Sequence, residues 1–521
     1  MKKAIVILVL CTFAVGGWAQ GEGRGLFENL EYSAEAQGTF SGGDHNPLWL
    51  NANKHGLSSL ENNNAYLRGS VCRPLQNDSL RKWGIGYGVD LAVAANFTST
   101  LVVQQAYFQG RYKKGLLTIG AKEIPMEMKN MELSSGSQTL GINARPVPQV
   151  RVELPEYWDI PGLHRWLAFK GHLAYGRLTD DNWQKDFVGS RKNKYSRATR
   201  YHSKAGFLKI VPDDYPIQFE IGLEMAALFG GTSYNVSDAQ HEFNDEIHNK
   251  SDFKAYLDVL IPNGGDAKEG VYENNSGDQL GSWMFRMKYK GDGWGVNFYV
   301  DHFFEDHSQM LFLDYDGYGK GDEWNLKKTN DYIVYNLKDC MLGLEGILPK
   351  NPIASNVVVE YIYTKYQSGP VFHDHTQNIS DHIAGRDDYY NHYIFSGWQH
   401  WGQVMGNPLY RSPLYNDDGT IEIKNNRFWA WHFGVDGDPT ENIHYRLLFT
   451  TQKGWGRYVN SYSDPKTNNS FLAEVTYSFP KLFGKKGWAV RGAFGMDRGG
   501  ILGDNTGVQF TIMKKGIIRK L

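Results

Sequence analysis

The sequence has few cysteines, no excess of charge of either sign, and no long apolar run after its first twenty residues. Three cysteines in 521 residues cannot form a disulfide framework, and we expect Cys72 and Cys340 to be unpaired thiols. A formal net charge of -2 gives no electrostatic reason to expect a nucleic-acid partner, which would need a clustered basic face. No later segment approaches the ~20 apolar residues of a membrane-spanning helix.

The N-terminus has the three parts of an export signal. Lys2 and Lys3 form a positive region, residues 4–15 form an apolar stretch, and the small residues Gly17 and Ala19 suit a signal peptidase. We predict a signal peptide over residues 1–19. Lipidation at Cys11 is the alternative, and it is disfavoured because Leu10 occupies a position that needs a small residue. An exported chain of this kind is periplasmic, secreted or located in the outer membrane.

Aromatic residues are abundant, and the apolar residues alternate with polar ones. Aromatics make up 14% of the chain, within an apolar fraction of 41%. In the segment 218–229, Phe219, Ile221 and Leu223 alternate with Glu220 and Glu224. Because successive side chains of a strand point to opposite faces, this period of two predicts strands with one apolar and one polar face.

Segments of this kind predict an all-β chain of about eighteen strands. A short periplasmic segment over 20–30 precedes the predicted barrel at 31–513, and a tail over 514–521 follows it. The predicted strands cover 31–40, 64–72, 84–97, 101–112, 115–122, 148–154, 166–178, 202–210, 216–229, 281–290, 293–304, 338–347, 355–366, 427–436, 443–452, 470–479, 487–497 and 506–513.

The connections between these strands alternate in length. Those after even-numbered strands are short, as at 113–114 and 291–292, whereas most of those after odd-numbered strands are long, up to 230–280 and 367–426. A soluble sandwich has no reason to sort its loops in this way, but a transmembrane antiparallel β-barrel has short periplasmic turns and long extracellular loops. Aromatics near strand ends would form interface girdles: Trp83, Tyr87, Tyr112, Trp166, Trp294, Trp429, Trp431, Trp455 and Trp488.

Several segments, in the same order along the chain, resemble the Wzi capsule-assembly family of outer-membrane proteins. They are NPLWLNANKHG at 46–56, NNNAYL at 62–67, LSSGS at 133–137, NARPVPQ at 143–149, EYWDIP at 156–161, HFFED at 302–306, YNH at 390–392, SGW at 396–398, GNPL at 406–409, HFGVDG at 432–437 and YRLLF at 445–449. The resemblance implies an eighteen-stranded barrel that acts as a lectin for capsular polysaccharide. The loops 230–280 and 367–426 cannot be aligned with the family over their full length, so the family's sugar specificity is not carried over.

The segment 367–426 is the predicted binding surface, because it mixes flat aromatics with polar groups, as sugar faces and hydroxyl edges require. The predicted ligand-binding residues are Tyr389, Tyr390, His392, Trp398, Trp401 and Arg386. The alternative is that this segment folds inward and packs its aromatics as a plug in the barrel lumen. Both interpretations can hold together.

Three other clusters carry weaker indications. His373, His375 and His382 have the density of a metal site without a fixed spacing, and Asp314–Asp322 fails the spacing of a calcium loop. The basic segment 191–200 suits either acidic glycan or solvent. No nucleophile elbow or zinc-protease motif is found, so we expect no enzyme activity, no metal and no cofactor.

The sequence therefore predicts a monomeric, lectin-like protein of the cell outer membrane that attaches or helps assemble capsular or other surface polysaccharide. Its other partners would be outer-membrane lipid and lipopolysaccharide. A substrate-specific porin or transport channel shares the same barrel and remains the alternative. A barrel-embedded hydrolase is a third class, with no visible catalytic set.

Overall fold

The computed structural model describes residues 25–163, 165–212, 214–238, 241–261, 277–305, 316–318, 321–323, 326–329, 338–367, 372–373, 382–383 and 387–520. The predicted signal peptide lies outside the described residues. Most of the residues considered as metal ligands near 374–381, and those considered as calcium ligands near 314, also lie outside the described residues. Cys72 and Cys340 are both free thiols, as predicted.

Eighteen long strands form one antiparallel sheet, and each predicted strand has its counterpart. In chain order they are β1 (Glu28–Gly42), β2 (Asn63–Arg73), β3 (Trp83–Ala95), β4 (Leu101–Tyr112), β5 (Gly115–Ala121), β6 (Gln149–Asp159), β7 (Leu167–Arg177), β8 (Arg200–Ile210), β9 (Ile217–Phe229), β10 (Asp278–Lys290), β11 (Gly295–Glu305), β12 (Cys340–Ile347), β13 (Asn356–Tyr363), β14 (Phe428–Thr440), β15 (Ile443–Gly456), β16 (Ser461–Phe479), β17 (Trp488–Gly499) and β18 (Asn505–Lys520).

The sheet closes on itself as a barrel. Strand β1 pairs with β2 on one side and with β18 on the other, in a register that runs from Glu28 opposite Lys520 to Gly42 opposite Thr506. Closure leaves no free edge strand among the eighteen, so the ladder supplies partners for backbone groups that hydrocarbon could not satisfy.

The two ends of the barrel segment differ from the predicted bounds. Strand β1 begins at Glu28, inside the segment predicted as periplasmic, and β18 continues to Lys520, through most of the predicted tail. The reason is mutual pairing: Ala34 lies opposite Lys514, and Glu31 lies opposite Ile517. Each chain end supplies the hydrogen-bond partners that keep the other extended.

The barrel wall has an apolar outer face and a polar inner face. In β9, Ile221 is 42% exposed, whereas Glu220 and Glu224 are each 1% exposed. In β14, Trp431 and Phe433 point outward while His432 between them is buried. Since the exposed side is the apolar one, the outside of the barrel suits lipid and the inside does not, as the alternation predicted.

The connections sort by length between the two ends of the barrel, which we call the turn end and the loop end. The turn end contains the start of β1, the end of β18 and connections such as 113–114 and 441–442. The long connections that follow β1, β5, β7, β9, β11 and β13 leave the wall at the loop end. Exposed aromatic pairs lie at the turn end, including Trp83 with Tyr112, whose ring centroids are 4.3 Å apart. This arrangement agrees with the predicted girdle at that end.

Three connections from the loop end fold back into the barrel and fill it. We call residues 43–62, 122–148 and 387–427 the plug. The first contains the short helix α1 (Leu48–Asn51), and the helices α2 (Asp181–Val188) and α3 (Phe253–Leu260) belong to neighbouring loops. None of the helices in the described residues is long and apolar enough to cross a membrane.

Candidate functional site

The plug is held by carboxylates that point inward from the wall. Asp301 of β11 accepts hydrogen bonds from Lys129 Nζ at 2.7 Å and from the Gln138 amide at 3.2 Å. Glu360 of β13 accepts from the Ser134 hydroxyl at 2.6 Å and from the Ser135 amide at 2.8 Å. A buried charge is tolerated only where it is paired and hydrogen-bonded, so these contacts fix the plug in one position.

Three of the predicted ligand-binding residues belong to the interior of the plug. Tyr389, Tyr390 and Trp398 are each 0% exposed. The Trp398 indole donates to the carbonyl of Thr139 at 3.1 Å, and the Tyr390 hydroxyl donates to the carbonyl of Gln138.

A ring with no exposed face cannot stack on a glycan chain, so the prediction of surface contacts by Tyr389, Tyr390 and Trp398 needs correction. For these three residues the inward-folded plug, the alternative weighed from the sequence, is the arrangement the structure shows. Tyr390 and Trp398 donate to backbone carbonyls of the plug instead, and the Tyr389 hydroxyl donates to the Oδ2 atom of Asp339 at 3.0 Å.

His392 also has a packing role, and Arg386 lies outside the described residues. The Nδ1 atom of His392 accepts from the amide of Ile394 at 3.0 Å, and its carbonyl accepts from Lys194. Burial, reinforced by the charge of Lys194, lowers the pKa of His392 to about 3. The basic segment that contains Lys194 therefore contacts the plug through this residue rather than standing free in solvent.

Trp401 differs from the other predicted residues, because its ring is partly exposed. It lies at the tip of a hairpin in which His400 pairs with Gln403. The two residues of the turn, Trp401 and Gly402, have φ values of 56° and 78°. Such turns favour Asn and Gly, so a tryptophan here is held in a costly conformation. Strain of this kind is typical of functional positions.

Arg145 lies over the ring of Trp401, with 4.5 Å between the guanidinium carbon and the ring centroid. The guanidinium also donates to the hydroxyls of Ser99 at 2.8 Å and Thr98 at 2.7 Å. Arg145 is 6% exposed, and burial lowers its pKa to about 10, against a smaller opposing effect of Asp180. A buried cation that contacts hydroxyls rather than a carboxylate is well placed to bind an anion or a sugar hydroxyl.

His400 holds the pair of Arg145 and Trp401 in place through hydrogen bonds. Its Nε2 atom accepts from the Thr179 amide at 3.1 Å, so Nδ1 carries the proton and donates to the carbonyl of Arg145 at 2.8 Å. Burial lowers the pKa of His400, against the opposing charge of Asp180, so the ring is neutral at pH 7. The hairpin, the segment of Arg145 and the loop at 179 are thereby joined.

A cavity of about 90 Å³ lies between the plug and the wall formed by β6 to β9. Arg145 lines it, together with the stacked rings of Tyr201 and Trp398, whose centroids are 5.9 Å apart. Three buried polar atoms of lining residues have no hydrogen-bond partner within the described protein: Arg145 Nε, Gln149 Oε1 and Glu224 Oε2. Unpaired buried polar atoms are costly, so the cavity is suited to a polar, hydroxyl-bearing occupant.

Arg145, Gln149 and Glu224 were not among the residues expected from the sequence. Arg145 and Gln149 lie in the segment 143–149 that carries the family resemblance, which was the one available signal. Glu224 looked like an ordinary inward-facing residue of a strand. Only the fold brings these three residues to one cavity.

The comparisons with known proteins agree with this architecture. The family model described as capsule assembly protein Wzi matches residues 53–321. Among solved structures, the Escherichia coli outer membrane protein Wzi, described as a carbohydrate-binding β-barrel involved in group 1 capsule assembly, has a TM-score of 0.55 at 13% identity, covering 92% of this chain and 83% of its own.

Two Pseudomonas aeruginosa outer-membrane proteins have lower scores. OccK2 has a TM-score of 0.46 at 9% identity, covering 96% of this chain and 100% of its own. OprD has a TM-score of 0.43 at 9% identity, covering 96% of both chains. No curated protein matches the sequence. Because the family model covers more than half of the 521 residues, this chain belongs to the Wzi capsule assembly protein family.

Proposed function

We propose that this chain is a lectin-like protein of the outer membrane that attaches, or helps assemble, capsular or other surface polysaccharide at the cell surface. The observation that carries the proposal is a closed, lipid-facing barrel of the Wzi family whose own loops fill the lumen. The apolar outer face meets membrane lipid and lipopolysaccharide. A closed barrel needs no partner strand, so we expect it to act as a monomer.

The loop end is the face that would meet the glycan, because long loops of such barrels are extracellular. At this face Trp401 offers an aromatic surface for the C–H side of a sugar ring. Arg145 beside it offers donors to hydroxyl or carboxylate oxygens, and the cavity below contains further unpaired donors and acceptors. Each contact is weak, but a repeating glycan that engages many barrels on one cell is retained through multivalency.

Attachment is favoured over transport because of what occupies the lumen. A porin needs a continuous water-filled path, whereas inward-facing residues around the wall contact the plug directly. Wall residues from two separate parts of the barrel, Asp301 of β11 and Asp497 of β17, both accept hydrogen bonds from plug amides. Attachment also requires no catalytic group, in keeping with the absence of a catalytic motif in the sequence.

The test is glycan retention on cells that carry Trp401→Asn in place of the wild-type protein. Asn adopts positive φ readily, so this variant keeps the hairpin turn and removes only the ring. We expect the bound fraction of surface glycan to fall several-fold and the released fraction to rise, with total synthesis unchanged. Trp294→Ala, which removes an exposed aromatic at the turn end, is the matched control. Retention equal to wild type in Trp401→Asn would argue against this site.

A further inference from the structure

Three potential metal ligands from distant parts of the sequence meet at the turn end of the barrel. Glu132 belongs to the plug, Asp436 to β14 and His444 to β15. One ligand atom from each lies within 4.8 Å of the others. Glu132 is exposed and Asp436 is buried, so the cluster is accessible to water on one side and enclosed on the other. None of the motifs in the sequence indicated it.

The histidine is oriented as metal-binding histidines commonly are. Its Nδ1 atom lies 2.9 Å from Asp438 Oδ1, so Nδ1–H donates to that carboxylate. The other nitrogen, Nε2, then carries a lone pair and faces Glu132 Oε2 at 3.4 Å. A carboxylate that holds the far nitrogen of a ligating histidine fixes its tautomer and raises its basicity.

The surroundings hold the Asp436 carboxylate and the backbone at Glu132. Both hydrogen bonds that Asn356 makes to the Asp436 side chain, from its amide at 3.0 Å and from Nδ2 at 2.9 Å, go to Oδ1. The backbone of the plug is fixed beside Glu132, because Arg446 donates to the Glu132 carbonyl at 3.0 Å and His432 donates to the Leu133 carbonyl at 2.8 Å. The Asp436 carboxylate and the backbone at Glu132 are thus held by contacts that do not depend on a metal, and the exposed Glu132 side chain can turn toward the ion.

We propose that Glu132, Asp436 and His444 bind a divalent transition-metal ion, for which zinc is the best fit. One imidazole nitrogen and two carboxylate oxygens, with a side open to water, form a ligand set that zinc accepts in tetrahedral sites. Such an ion would join the deepest point of the plug to the wall at β14 and β15. Its role is therefore to fasten the plug, independently of the glycan site at the opposite end.

The test uses the full-length protein in detergent, stripped with a chelator and titrated with zinc chloride by calorimetry. We expect one saturable equivalent in the wild type, and at least a tenfold weaker affinity in Glu132→Gln and His444→Gln. His248→Gln is the matched control, because His248 also lies beside a glutamate, Glu246 at 3.5 Å, outside this cluster. That variant should bind zinc as the wild type does.

A second measurement separates metal binding from a simple ion pair. Zinc should raise the midpoint of thermal unfolding in the wild type and in His248→Gln, and leave it unchanged in Glu132→Gln, whose exposed side chain can be replaced without disturbing the barrel. The absence of saturable binding in the wild type, or binding that both cluster variants retain, would overturn the proposal. In that case the contacts of His444 with Glu132 and Asp438 would be structural and would not form a metal site.

Discussion

Residues of the same type have opposite roles in this molecule, depending on whether the backbone directs their side chains into the plug or toward its surface. Trp398 and Trp401 are separated by two residues, yet one is 0% exposed and the other is at a hairpin tip. Their mixture of aromatic and polar neighbours is typical both of a sugar site and of a packed plug. The composition of the segment therefore did not distinguish an exposed ring from a packed one.

The Trp398 side chain is a test of packing rather than of binding. Replacement by alanine removes a fully buried ring and its hydrogen bond to Thr139, and we expect a loss of about 3–5 kcal/mol in the free energy of unfolding. Chemical denaturation in detergent would measure it. Trp294→Ala at the outer surface should cost much less, and equal losses in both variants would contradict the burial of Trp398.

Buried histidines of the plug predict a stability that depends on pH. Burial lowers the pKa of His400 below its usual value of 6.5, with Asp180 opposing. The folded chain therefore keeps the ring neutral where the unfolded chain takes up a proton. The resulting stability is fully present above pH 6.5 and is lost as the pH falls below it.

We therefore expect the midpoint of thermal unfolding to fall between pH 7.5 and pH 5, and the fall to be smaller in His400→Gln. His248→Gln, which changes an exposed histidine, should keep the wild-type profile. A midpoint that does not change between these pH values would show that the plug does not depend on a neutral His400.

At the scale of the elements, the strands were predictable and their ends were not. The alternation of apolar and polar residues is a strong signal inside each strand, because one face meets lipid and the other a polar lumen. The ends extend beyond the lipid-facing band, where polar residues such as Lys514 and Lys515 continue the ladder without an apolar partner pattern. Where β1 begins and β18 ends is decided by their pairing with each other. A local sequence pattern carries no information about that pairing.

The close contact between plug and wall at Gly434 predicts that a larger residue there would clash. A Cβ atom at this position would lie 2.7 Å from the carbonyl oxygen of Leu133, the acceptor of the His432 hydrogen bond. Gly434→Ala should therefore displace the plug locally and lower stability by about 1–3 kcal/mol. Gly69→Ala in β2 is the control, since its Cβ would meet nothing within 4 Å. Proteolysis of the plug should increase only in the first variant.

At the scale of the whole molecule, the number of strands and the closed barrel were predictable, whereas the filled lumen was one of two alternatives. Nothing local in the sequence indicates that Lys129 of a loop pairs with Asp301 of a strand, since they are far apart along the chain. The cavity beside Arg145 is likewise formed by residues that are far apart along the chain. Long-range convergence accounts for most of what the sequence did not reveal.

A filled lumen predicts a barrel that conducts poorly. In planar bilayers we expect the wild-type protein to show no large, open-pore conductance, because the plug contacts the inner wall on several sides. Deletion of residues 388–426, which removes a major part of the plug, should produce wide pores. Large conductance in the wild type would favour the porin alternative, and an unchanged deletion variant would show that other residues block the lumen.

The pairing of β1 with β18 has a consequence for biogenesis. The ring cannot be completed until β18 has been synthesised, since Lys520 of β18 lies opposite Glu28 of β1. The three plug segments precede β18 in the chain, so they are already present when the barrel closes. They can therefore be enclosed during closure and need not be threaded into the barrel afterwards. A product that lacks β18 would have two unpaired edge strands and could not retain the plug. We therefore expect assembly into the membrane to be all-or-none.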